Sequence, residues 1–95
     1  MSEEGIDAQF WERADAVIKL ANQQGTVIEN SKVSASLLYA AARFNAFNTA
    51  ASYSDGATLK QDKEEALDYF TKEYRKMLSE NLDDYIDNFA AYIKG

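Results

Sequence analysis

The chain has 95 residues, with no Pro, no Cys and no His, only four Gly, and 46% hydrophobic residues. Sixteen acidic residues against ten basic give a formal net charge of -6, which repels phosphate backbones and anionic lipid surfaces and argues against nucleic-acid binding. Without His or Cys the commonest general base, the commonest metal ligand and the most reactive nucleophile are missing, so the sequence predicts a non-enzymatic protein with no cofactor.

A single domain over residues 1–95 is expected, held by packing rather than by disulfides or a metal. The composition suits long helices with short connections. The first ten residues, MSEEGIDAQF, carry neither a basic nor an apolar leader region, and no run reaches the roughly 18 to 20 apolar residues of a membrane span. A cytoplasmic protein without a membrane partner is the expectation.

In chain order, residues 1–6 are expected to be flexible. Asp7 is placed to cap a first helix from Ala8 to about Gln24, with Ile6 packing on Trp11. Its apolar stripe is Phe10, Ala14, Val17, Ile18 and Ala21, and Gly25 is placed to end it in the left-handed conformation. Val27 and Ile28 are expected to tuck onto the core or to prolong the helix by a turn. Ser34 reads as the next N-cap, with Ser31 as an earlier start.

The segment from Ser31 to Ala51 is apolar around most of its circumference and rich in alanine. It is expected to be the central helix, enclosed by the others. Leu37, Ala40, Ala41, Phe44, Phe47 and Ala51 form one arc, and Tyr39, Arg43, Ala46 and Ala50 a second face. Asn48 lies within the apolar arc and Asn45 at its edge, so both need hydrogen-bond partners or water.

Asp55-Gly56 marks the next turn, and the spacing of Thr58 and Gln61 suggests a capping box that opens a helix near Leu59. Ala66, Leu67, Phe70, Tyr74, Met77 and Leu78 would face inward. From Leu82 onward the stripe drifts by about a sixth of a turn. A break with Asn81 as N-cap is preferred over one helix, since 36 residues at 1.5 Å would span about 54 Å. A continuous helix would instead require cover from a second subunit.

Two constellations could carry function. Glu80, Asp83, Asp84 and Asp87 are four acids in eight residues, whose like-charge i, i+4 pairs each cost a few tenths of a kcal/mol and call for compensation. The candidates are a helix N-terminus, an Arg from elsewhere, or a divalent cation. Arg43, with Tyr39 and Asn48 near it, is the only charged residue between Lys32 and Asp55. Its planar fork suits a bidentate carboxylate partner among Asp83, Asp84 and Asp87. The candidate binding residues are therefore Tyr39, Arg43, Asn45, Asn48, Asp83, Asp84 and Tyr85. None is assigned a catalytic or metal-ligating role.

The segments ERADAVIKLANQQ (12–24), KVSASLLYAAARFNA (32–46) and YFTKEYRKMLSENLDDYIDNF (69–89), with their VSAS, AAARFNA and MLxENLDDYIxNF-like runs, resemble a bacterial family described as domain of unknown function 3144. The resemblance implies a short stand-alone bacterial protein and lends no catalytic or binding roles. The family's recurring polar positions correspond here to Ser34, Ser36, Arg43, Asn45, Asn81, Asp83, Asp84 and Tyr85.

The expected fold is all-α, a small bundle of three to four helices around the alanine-rich central one. Twelve aromatic rings are more than so small a core can hold, which points to an aromatic surface patch. The expected function is a protein-interaction or homo-oligomerising helical module whose partner is another protein or a second copy in a homodimer. The alternative is a small-ligand or divalent-cation-binding protein that uses Arg43 with Glu80, Asp83, Asp84 and Asp87.

Overall fold

The computed structural model describes residues 7–94, and the expectations for residues 1–6, including the packing of Ile6 on Trp11, lie outside them. The described residues are all-helical: α1 (Phe10–Gln24), α2 (Asn30–Ala50), α3 (Gly56–Gln61), α4 (Lys63–Asp87) and a terminal π-helical turn (Ala90–Lys94). The chain divides into two units, residues 1–53 and 54–95.

In the first unit, Asp7 organises the entry to α1 from one turn ahead of it. Its Oδ1 accepts the Gln9 amide at 3.0 Å, and its carboxylate meets the Arg13 guanidinium at 3.2 Å. The bond from the Gln9 amide, with smaller help from Arg13, holds this carboxyl below its ordinary value. The helix proper begins at Phe10, two residues later than the sequence suggested.

Helix α1 does not end in a left-handed glycine. Gly25 keeps right-handed helical angles (φ -66°, ψ -11°) and donates to Ala21 O. Tightening turns then take over: the Thr26 hydroxyl donates to Gln23 O at 2.7 Å, and the Val27 and Ile28 amides both reach Gln24 O. A Cβ at residue 25 would meet the side-chain oxygen of Asn30, which would have to turn aside. Val27 prolongs the helical turns and points out to solvent.

Helix α2 starts four residues before the expected Ser34 cap. Glu29, in a non-helical conformation, accepts the Lys32 and Val33 amides through its carbonyl and lies 3.7 Å from Lys32 Nζ. The earlier start has a packing cause: Val33, on the first turn, is the one buried residue among those described. Winding residues 30–33 into the helix is what aims this side chain inward. At the far end, the Ala51 amide reaches Phe47 O and the Ser52 hydroxyl reaches Thr49 O.

In the second unit, Asp55 rather than Thr58 is the cap. Its extended backbone and carboxylate suit the N-cap role, and its Oδ1 accepts both the Thr58 amide at 2.8 Å and the Thr58 hydroxyl at 2.9 Å. Thr58 is thus a donor to the cap. These two bonds depress the Asp55 carboxyl below its ordinary value. Helix α3 closes after six residues at Asp62, which is also the residue from which α4 starts. Glu64 and Glu65 occupy the first turn of α4, where the helix dipole favours acids.

The expected break at Asn81 is absent. Helix α4 runs unbroken from Lys63 to Asp87, and the Asn81 amide side chain donates back to Met77 O at 2.8 Å instead of capping a new helix. No Pro or Gly interrupts residues 63–87, and like-charge pairs worth a few tenths of a kcal/mol each are too weak to break a helix that long. The break falls at Asn88, with φ -121° and ψ 29°.

Candidate functional site

The central helix is not enclosed within its own unit. Phe44 and Phe47 are each 70% exposed, and Leu38 and Tyr39 are also open to solvent. Helices α1 and α2 touch and Val33 is buried, while Phe10, Ala14 and Ala21 are only half-buried and Trp11, Val17, Ile18 and Leu20 are exposed. Helix α4 repeats the pattern, with Leu67, Tyr74, Leu78, Leu82, Tyr85 and Ile86 exposed by 42 to 69%. In both units, apolar side chains at helical spacing are open to solvent.

Tyr39, Arg43, Asn45 and Asn48 belong to the first unit, whereas Asp83, Asp84 and Tyr85 belong to the second, so neither unit alone holds the whole set. Tyr39, Arg43 and Asn48 are exposed, and Asn45 is half-buried with its carbonyl accepting the Thr49 hydroxyl at 2.8 Å. Asn48 therefore meets water rather than a buried polar cavity. Within its unit, and among the described residues, Arg43 forms no ion pair; those present are Arg13 with Asp7 and Lys32 with Glu29.

The polar arrangement that the sequence reading missed lies at the end of α4. Asp84 Oδ1 accepts the Asn88 side-chain amide at 3.0 Å, and Asp84 Oδ2 accepts the Tyr92 hydroxyl at 3.1 Å. Asn88 also donates to Asp84 O at 3.1 Å, and the Tyr85 and Tyr92 rings stack obliquely with centroids 4.8 Å apart. Residues 84, 88 and 92 are successive i, i+4 positions. That spacing was the available signal.

Two side-chain donors converge on one carboxylate, which supplies at Asp84 the compensation that the cluster of like charges called for. Neutral donors do the work there. The hydrogen bond to Asp84, reinforced by its negative charge, raises the Tyr92 hydroxyl above its ordinary value. Asp83, about 100° round the helix from Asp84, takes no part in these bonds. Among the described residues no three carboxylates converge as a metal site, and no helix is long and apolar enough to cross a membrane.

Comparison with known proteins gives two findings. The model of the family described as "Protein of unknown function (DUF3144)" matches residues 10–86. A solved structure, the NMR structure of the protein NB7890A from Shewanella sp, is similar at 40% sequence identity and a TM-score of 0.75, over 93% of this chain and 94% of that one. No curated protein matches.

Proposed function

We start from the fact that the chain belongs to the DUF3144 family, and we propose that it is a non-enzymatic helical module which works by associating with another polypeptide, in a cytoplasmic setting. One observation carries the reading: Val33 is the one buried residue among those described, while both units hold rows of large apolar side chains in solvent.

Burying a Leu, Ile, Phe or Met side chain contributes about 1.5 to 3 kcal/mol, and isolated helices are marginal in water without a packed face. Two units with one buried residue between them forgo most of that stabilisation unless something covers them. The chemistry-bearing residue types point the same way. The acids of α4 offer no cation site to support a ligand-binding alternative, because they do not converge.

Thermal melting followed by circular dichroism over about 1 to 100 µM protein tests the reading, because an associating chain gains stability by mass action. The expected result is a midpoint that climbs with concentration. A cooperative transition whose midpoint is the same at every concentration would overturn it.

A further inference from the structure

Resting on that reading, we infer that the occupant of the exposed stripe of α4 is the central helix of a second copy of this chain, with Arg43 of each copy seated beside Asp84 and Glu80 of the other.

The first argument is length. Helix α4 has 25 residues, about 37 Å at 1.5 Å per residue. A compact globule of 95 residues has a radius of gyration of about 12 Å and is only about 32 Å across. Its apolar positions continue into the π-helical turn, where Tyr92 and Ile93 are also exposed. A second copy can lie along the whole of that stripe, and a two-fold arrangement covers it in both copies.

The second argument is area. Phe44, Phe47, Tyr74, Tyr85 and Phe89 are 46 to 70% exposed. At about 200 Å² per buried aromatic side chain, these five residues from two copies supply roughly 1,100 Å² before any aliphatic is counted. Stable interfaces begin near 1,200 Å². The aromatics alone bring the pair close to that size, and Leu37, Leu78 and Ile86 add to it.

The third argument is charge complementarity. On α2, Arg43 sits about a quarter turn from the middle of the Leu37, Phe44 and Phe47 arc, so it flanks that arc. On α4, Asp84 falls seven residues after Met77 at the flank of the stripe, and Glu80 is one turn before it on the same flank. Neither carboxylate forms an ion pair within its unit among the described residues, and neither does Arg43. In a two-fold dimer this contact occurs twice. Alanines 40 and 41 on the same arc of α2 would let the two helices approach closely.

The experiment uses full-length chains. Arg43→Glu and Glu80→Lys/Asp84→Lys are purified separately, checked for helicity, and their dimer dissociation measured by sedimentation equilibrium, alone and mixed one to one. Each alone should dissociate at least about ten-fold more readily than the parent. The mixture, in which both contacts regain opposite charges, should form a heterodimer of near-parental affinity. Arg43→Gln and Glu80→Lys alone, milder changes that keep Asp84 with Asn88 and Tyr92, should each weaken the dimer by a smaller factor. Rescue only when all three substitutions share one chain would place the contact within a chain and overturn the inference. Unchanged dissociation of a parental dimer by every variant would also overturn it while leaving the associating module intact, whereas a monomeric parent would remove that reading first.

Discussion

The Tyr92 hydroxyl donates to Asp84 Oδ2 at 3.1 Å, eight residues earlier in the chain, and joins the π-helical turn to the end of α4 across the irregular Asn88. Because the partner is a carboxylate, the phenol holds its proton more tightly than usual. A hydroxyl whose folded value lies above its unfolded one contributes stability below the unfolded value of 10.0, and loses that contribution as pH rises through the folded value. Tyr92→Phe should therefore loosen residues 88–94 in hydrogen exchange at neutral pH, and ultraviolet titration of the variant should lose a tyrosine that titrates above the ordinary value. An unchanged titration curve would contradict the bond.

Asp55 behaves in the opposite sense. Its carboxyl is depressed by the Thr58 amide and hydroxyl, so its cap is complete above the ordinary value of 3.8 and is lost as pH falls through the lower folded value. Asp55→Ala should lower the melting temperature at pH 7, and the difference from the parent should vanish in acid. Hydrogen exchange at the Thr58 amide should accelerate in the variant at neutral pH.

Val33, on the first turn of α2, is the one buried residue among those described. Val33→Ala removes two methyl groups from a side chain that is 7% exposed, and it should cost about 1 to 2 kcal/mol of stability by chemical denaturation. A cost below about 0.5 kcal/mol, the range of ordinary surface changes, would contradict the burial.

Phe44 and Phe47 separate the isolated chain from the assembled one. On a free surface, Phe→Ala at either position changes stability by within about 0.5 kcal/mol. Under a covering partner each should cost about 2 kcal/mol or more. Denaturation at high and low protein concentration reads the difference directly.

The helices were legible because apolar residues recur every three to four positions over long stretches without Pro, and the turns after Gly25 lie where turn chemistry puts them, whereas Asp55-Gly56, expected as a turn, is the N-cap and first residue of α3. The caps were not. Ser34 has the better side chain for an N-cap, yet Val33 gains more from burial than Ser34 offers as a cap, so the helix begins at Asn30. Asn81 can cap a helix or bond back to a carbonyl four residues earlier, and its composition does not distinguish the two. Helical spacing likewise marks which residues want cover without saying which polypeptide supplies it, so the enclosure expected for Phe44 and Phe47 within the chain is not what their own unit provides. The Asp84, Asn88 and Tyr92 array was written in the i, i+4 spacing, and was obscured by reading the acids only against one another.

Sedimentation equilibrium of the full-length protein tests the central claim most directly. At tens of micromolar the account predicts a mass of at least twice the 10.7 kDa of one chain, falling toward the single-chain mass on dilution with a parallel loss of helical signal. A constant mass of one chain over that range, with helicity undiminished, would contradict it.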